Sequence, residues 1–140
     1  MENETTIRVR YKETDQMGVV YYGNYFTWFE VGRNEFFREL DLECGGLEKG
    51  GVLLPVIEAG CKYANSAKFD DEITIKTKLV KLKGVRFRLN YTLYREADNT
   101  LIAEGFTEHA FVDECFKPIN MRKKYNKAWN ALQNTLEKGE

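Results

Sequence analysis

Residues 11–37 read YKETDQMGVVYYGNYFTWFEVGRNEFF, and the hydrophobic period changes part-way along them. From residue 24 onward the apolar side chains recur at three- or four-residue steps: Tyr25, Phe29, Gly32, Phe36 and then Leu40, with Trp28 and Phe37 widening the stripe. Glu30, Arg33, Asn34, Glu35, Arg38 and Glu39 fall mainly elsewhere. This pattern predicts an amphipathic helix from about Asn24 to about Leu40. Its stripe is so aromatic that most of its circumference needs cover, which a strongly curved sheet wrapped around it would supply. A glycine on that stripe costs roughly 1 kcal/mol relative to alanine. Gly32 therefore implies close approach to whatever the helix packs on.

Upstream and downstream of the helix the period is two. Ile7, Val9 and Tyr11 alternate with Arg8 and Arg10, which predicts a half-buried strand over 5–11. Four further strand-like runs follow, over 52–67, 72–82, 85–95 and 100–113. In the first, Ile57, Ala59, Cys61 and Tyr63 share a face, and in the third Val85, Phe87, Leu89, Tyr91 and Leu93 do. Asp70-Asp71, Lys83-Gly84 and Asp98-Asn99 are turn signals between them. Such short connections require antiparallel neighbours. Pro118 ends the last run, and a closing helix is expected over about 120–136, with Tyr125, Ala128, Trp129, Leu132 and Leu136 as its stripe. Helices and strands are segregated along the chain, so the class is α+β, in a single domain over 1–140.

Composition narrows the function. Charged residues are 31% of the chain, yet the formal net charge is −1, so there is no bulk attraction to nucleic acid or to an anionic membrane. No apolar run approaches the ~18 residues of a membrane span. The opening MENETTIRVR is polar and lacks the apolar core of a secretory signal. Three scattered cysteines, Cys44, Cys61 and Cys115, give neither a disulfide framework nor a zinc pattern. A cytoplasmic setting is expected. His109, the single histidine, has no companions for a metal site and reads as a strand residue. CGGLEKGG, residues 44–51, lacks the Lys-Ser/Thr ending of a phosphate loop and reads as a flexible exit from the helix.

The chemistry concentrates just before the aromatic helix. The amides of Tyr22, Gly23 and Asn24 are candidates for unpaired donors at a helix start, where the macrodipole favours developing negative charge. Aimed at a carbonyl oxygen they form an oxyanion site, in which one donor is worth roughly 2.7–4 kcal/mol of barrier. Gly18 permits the bend that folds the Asp15 loop back over that site. A carboxylate there can act as nucleophile or general base. The plainer alternative is that Asp15 shapes the turn in TDQMG. Glu13 lies two residues from Asp15, but alternate residues of an extended chain diverge, so a solvated Glu13 is expected.

The stretch containing Thr14, Asp15, Gly18, Val19, Val20, Tyr21, Tyr22, Asn24 and Tyr25 resembles the signature of the 4-hydroxybenzoyl-CoA thioesterase family of hotdog proteins. LLPVIEAGCKYANSAKFDDEITIKTKL, residues 53–79, is similar to that family's next block. The resemblance implies a long curved antiparallel sheet wrapped around a central helix, with a C-terminal helix. It implies hydrolysis of a small, medium or aryl acyl-CoA, with coenzyme A part of the substrate and no separate cofactor. Asp15 then matches the catalytic carboxylate, and the Tyr22 amide matches the donor that polarises the thioester carbonyl. Gly18, Val19, Gly23 and Asn24 fall in the same motif, and Glu30 and Ser66 at acyl-pocket positions. Tyr22 stands where the tol-pal-associated thioesterases carry histidine, so the aryl-CoA members match the motif more closely. At least a homodimer, often a tetramer, is implied as well.

Within the basic run 76–88, Lys83 and Arg86 flank a turn suited to the phosphates of coenzyme A, while a solvated sheet face accounts for most of the remaining charges. Two rival functions share the fold class. A hydratase or dehydratase would want a histidine beside an acid, and His109 is far from the motif in sequence. A non-catalytic acyl-CoA-binding domain would have no use for Asp15.

Overall fold

The structure is a computed structural model that describes residues 1–42, Leu47 and residues 50–136. Its centre is the cleanest alternation in the sequence. Strand β4 (Arg86–Arg95) turns Phe87, Leu89, Tyr91 and Leu93 inward, all of them buried. It pairs on one side with β3 (Glu72–Lys83) and on the other with β5 (Thr100–Ala110), both antiparallel. Strand β1 (Asn3–Arg8) pairs with β3 and strand β2 (Val56–Tyr63) with β5, giving the order β1-β3-β4-β5-β2. Left-handed backbone sits where the turn signals stand, at Gly84 (φ 62°), Asn99 (φ 55°) and Asp70 (φ 72°).

Helix α1 (Asn24–Glu39) crosses the inner face of this sheet. Phe29 stacks on Tyr91 with ring centres 4.5 Å apart, and Phe37 meets Phe87 edge-on at 5.9 Å. Trp28, Phe29, Phe36 and Phe37 are all buried, each contributing about 1.5–3 kcal/mol of transfer free energy. The close approach implied by Gly32 is present: a Cβ there would come within 2.5 Å of Thr77 Oγ1 and 2.8 Å of Ile75 Cγ2.

The boundaries differ from expectation at β1, the closing helix and β2, and β5 ends at Ala110, short of the expected 113. β1 ends at Arg8, and Val9 adds one further ladder step, its N–H donating to Asp71 O at 2.9 Å. The chain then tightens into a 3₁₀ turn at Tyr11–Glu13, because the Glu13 carboxylate accepts the Arg10 N–H at 2.7 Å. Tyr11 is consequently 75% exposed instead of facing inward. The closing helix is two pieces, α2 (Met121–Lys124) and α3 (Asn126–Thr135). Tyr125 leaves helical geometry between them (φ −134°, ψ 60°), with its hydroxyl donating to Gly50 O at 2.8 Å. β2 is shorter than the run 52–67, since Leu53 makes only an isolated bridge to Val112. As the sheet edge, β2 is mostly exposed, with Val56 at 51% and Tyr63 at 47%. Most of the 44–51 exit, including Cys44, lies outside the described residues.

Candidate active site

The loop before α1 is a narrow antiparallel hairpin. Thr14 bridges Val20, the Asp15 N–H donates to Val19 O at 2.9 Å, and the Gly18 N–H donates to Asp15 O at 3.0 Å. Gly18 supplies the left-handed residue this turn requires, at φ 81°. The Asp15 carboxylate accepts the Met17 N–H through Oδ1 at 2.8 Å. Turn shaping is thus present, since Oδ1 holds the turn, while Oδ2 meets no donor among the described residues. The returning leg is pinned to the segment after β2 by Val20 N–H to Ala67 O at 2.9 Å.

Glu13 corrects the sequence reading. It is buried, not solvated, and its carboxylate accepts from the Arg10 amide, from the Trp28 indole at 2.9 Å and from the Arg10 guanidinium at 3.4 Å. Burial pushes its carboxyl upward, but those donors and the Arg10 charge outweigh burial and leave it below the ordinary value. Its backbone carbonyl accepts the Tyr21 N–H at 2.8 Å and the Asn24 side-chain amide at 2.9 Å. One residue therefore ties the Asp15 hairpin to the first turn of α1.

At that first turn Gly23 is the N-cap, and the Asn24 N–H donates to Tyr21 O at 2.9 Å. The N–H groups of Tyr22 and Gly23 meet no acceptor among the described residues. They are the free donors that a helix start leaves. Tyr22 and Asp15 line one open cleft of about 280 Å³, together with Val19, Tyr25, Tyr63 and Ser66. Tyr63 stands edge-on to Tyr22 at 6.1 Å and leans on Tyr25 at 5.2 Å, and its hydroxyl donates to Tyr22 O at 3.5 Å. Burial, the Cys61 thiol and the neighbouring phenols push the Tyr63 phenol up to about 12, so it stays a neutral donor. Burial raises Tyr25 too, partly offset by its hydrogen bond to the Ala67 backbone.

The cleft gathers Asp15, Val19, Tyr22 and Ser66 from the sequence-derived set. Gly18, Gly23 and Asn24 sit in the turn and helix start that frame it. Glu30 is exposed further along α1 and does not line the cleft. Lys83 and Arg86 face each other across the β3–β4 hairpin, with Arg86 3.8 Å from Glu108. The register puts that hairpin at the far end of the sheet, roughly 23 Å from the Leu93 level at about 3.3 Å per residue. Sequence reasoning missed the wall made by Met17, Tyr25, Tyr63 and Asn65. The inward alternation of Tyr63 on β2 was a usable signal, whereas Asn65 left none.

His109 lies elsewhere. It is fully buried opposite Val56, stacked on Phe87 with ring centres 4.9 Å apart. Its Nδ1 is 2.9 Å from Leu54 O and its Nε2 is 2.9 Å from Thr107 Oγ1. Thr107 Oγ1 is in turn 2.6 Å from Tyr91 OH, which accepts from Arg33 at 3.5 Å. Arginine can only donate and a carbonyl can only accept, so the ends fix the direction of the chain. Tyr91 donates to Thr107, Thr107 to Nε2, and Nδ1–H to Leu54. Burial pushes this histidine down to about 4, with the Arg33 charge acting the same way and the Leu54 carbonyl opposing it. Among the described residues there is no cluster of His, Cys, Asp and Glu that could hold a metal ion.

A five-stranded antiparallel sheet curled around an aromatic helix defines a hotdog protein, and Asp15 and Tyr22, the latter just before that helix, share one cleft. The chain belongs to the thioesterase-like superfamily, which it matches over residues 9–122. It is 37% identical to YneP of Bacillus subtilis (strain 168), provisionally named an acyl-CoA thioesterase, over 85% of this chain and 86% of that protein. It is 31% identical to the acyl-CoA thioesterase YbgC of Haemophilus influenzae, over 91% and 93% respectively. Among solved structures, a DHNA-CoA thioesterase from Staphylococcus aureus superposes with a TM-score of 0.90 at 32% identity, covering 95% of this chain and 89% of that one.

Proposed function

We propose that this chain is an acyl-CoA thioesterase that hydrolyses its substrate in the cleft between the Asp15 hairpin and the start of α1. The observation that carries the reading is the meeting of the Asp15 carboxylate and the Tyr22 residue, with its unpaired N–H, on one cavity wall. The thioester oxygen would take the Tyr22 N–H, and the Gly23 N–H is a second free donor at the same helix start. Both strengthen as negative charge develops on that oxygen. Asp15 Oδ2 is free to attack the acyl carbon, expelling the coenzyme A thiolate and forming a mixed anhydride that water then opens. Alternatively it takes a proton from the water that attacks. Either route consumes one water and yields a carboxylic acid and a thiol. The names of the relatives support the acyl-CoA class. The tyrosine faces of Tyr22, Tyr25 and Tyr63 favour a small or flat, aryl-like acyl group.

The cleft is one-sided in a single chain. We infer that a second copy completes it by pairing along β2, whose outer edge is unpaired among the described residues and carries exposed Val56, Ile57 and Tyr63. Two-fold antiparallel pairing of that strand sets the Tyr63 end of one copy beside the Val56 end of the other. That end carries the Lys83–Arg86 hairpin, which this chain cannot bring to its own cleft. Lys83 and Arg86 then serve the neighbouring site. No described helix is long and apolar enough to cross a membrane, and Cys61 and Cys115 are free thiols, in keeping with a cytoplasmic setting.

Thiol release from a panel of acyl-CoA substrates tests the activity. The wild-type protein should turn over at least one of them, and Asp15→Asn should lose most of that turnover while keeping its fold. Near-wild-type rates in the variant would overturn the assignment.

A further inference from the structure

A second concavity lies on the opposite face of the sheet, and the catalytic reading makes no use of it. Strand alternation turns Gly60, Phe106, Asn90 and Lys78 outward in one row across β2, β5, β4 and β3. The adjoining row holds Lys62, Glu104 and Thr92, and Arg88 follows on β4. Together they line a cavity of about 490 Å³, larger than the catalytic cleft and within the ~300–1,000 Å³ range of small-molecule sites. Its relief comes from Gly60. A Cβ there would come within 2.6 Å of the Phe106 ring, so the ring leans across the strand only because the side chain is missing. The Arg88 guanidinium then lies 3.7 Å above that ring, giving a flat cationic surface.

The charge of this cavity does not follow from the bulk. The chain carries a formal net charge of −1, yet three cations, Lys62, Lys78 and Arg88, line the cavity against the single carboxylate of Glu104. Glu108, the neighbouring acid, stands 4.0 Å from Arg88 and 3.8 Å from Arg86, so it is divided between two cations. Lysine ammonium and arginine guanidinium groups suit phosphate oxygens, while the Asn90 amide and Thr92 hydroxyl offer neutral donors and acceptors beside them. Lys62 and Tyr63 are consecutive on β2, so their side chains leave opposite faces. The cavity therefore backs onto the catalytic cleft through the thickness of one strand.

We propose that this outer-face cavity is a binding site for a nucleoside polyphosphate, with the phosphates on Lys62, Lys78 and Arg88 and the base against the Arg88–Phe106 stack. The phosphates are those of a free nucleotide, because the proposed dimer gives the nucleotide end of coenzyme A to the Lys83–Arg86 hairpin. Calorimetric titration of the full-length protein with ATP, tripolyphosphate and adenosine tests it. ATP is expected to bind saturably, with a Kd no weaker than about 1 mM, tripolyphosphate to compete, and adenosine alone not to bind measurably. Lys78→Glu and Arg88→Glu should each weaken ATP at least about tenfold, with a smaller loss for the more exposed Lys62→Glu, which guards against a folding artefact. No saturable ATP binding, or binding unchanged by all three reversals, overturns the proposal. KM separates this site from the substrate site. If neither the KM for an acyl-CoA nor that for the matching acyl-pantetheine moves in Arg88→Glu while ATP binding is lost, the cavity takes a free nucleotide. If Arg88→Glu raises KM for the acyl-CoA but not for the acyl-pantetheine, the cavity is part of the substrate site and the proposal is overturned.

Discussion

The two ends of the sheet treat polar groups in opposite ways. At the far end, His109, Thr107, Tyr91 and Arg33 form a directed chain under α1 in which each named donor has an acceptor. At the near end, Asp15 and Tyr22 line an open cleft, and the Asp15 Oδ2 atom and the amides of Tyr22 and Gly23 meet no partner among the described residues. Buried polar groups left unpaired cost about 1–3 kcal/mol each, so a fold closes such groups where nothing else will meet them. Where they stay open, water meets them until a ligand takes its place. On the proposed reading the His109 end serves stability and the Asp15 end serves chemistry, and each role can be broken separately.

The largest effect belongs to the open end. Asp15→Asn keeps the size of the side chain and its acceptor for the Met17 N–H, but removes the nucleophile or base. We expect kcat/KM to fall about 10³-fold or more with the melting temperature nearly unchanged. A large loss of stability would instead make Asp15 chiefly a turn residue.

The closed end should respond to pH. Unfolded, His109 titrates near 6.5, and in the folded chain near 4. Between those values the unfolded state binds more protons, so stability rises with pH across that window and is lost as pH falls from about 6.5 to about 4. The full effect is on the order of 3 kcal/mol. The groups facing the ring are the Leu54 carbonyl, Thr107, Phe87 and the Arg33 charge. Denaturant unfolding at several pH values measures it, and His109→Gln should flatten that part of the profile. An unchanged slope in the variant would show that the histidine is not the group responsible.

Glu13 links the two kinds of behaviour, because a buried, fully partnered side chain positions the open site. In Glu13→Gln an amide –NH₂ must face donors from Arg10 or Trp28, which should cost about 1–2 kcal/mol of stability. Misplacing the hairpin should also lower kcat/KM about tenfold, with KM moving less than kcat. Stability lost without any loss of kcat would confine Glu13 to the fold. The smallest expected effect is Tyr63→Phe. Its hydrogen bond to Tyr22 O is long at 3.5 Å, and both rings remain in contact, so activity should stay within about threefold.

What could be read from the sequence follows the range of the forces involved. Period and turn chemistry are local, and β3, β4 and α1 lie close to where the pattern put them. Gly32 was legible for the same reason, since a glycine on an apolar helical stripe is anomalous by itself. Asp15 and Tyr22 share a cleft and also lie in one contiguous stretch, so the sequence could single them out together as a candidate site. Glu13 was misread because its burial depends on Trp28, fifteen residues away and one helix turn into α1. The break at Tyr125 depends on the Gly50 carbonyl, a contact no local pattern announces. The outer cavity requires four strands in register, and only the sheet order brings Lys62 and Lys78 to one place.

The most direct test of the central claim is a crystal structure of the Asp15→Asn variant holding an intact acyl-CoA. The account expects the thioester oxygen about 3 Å from the Tyr22 amide nitrogen, or from that of Gly23, with the carbonyl carbon about 3–3.5 Å from the side chain at position 15. An acyl group lodged away from both, with those amides still unpaired, would contradict it.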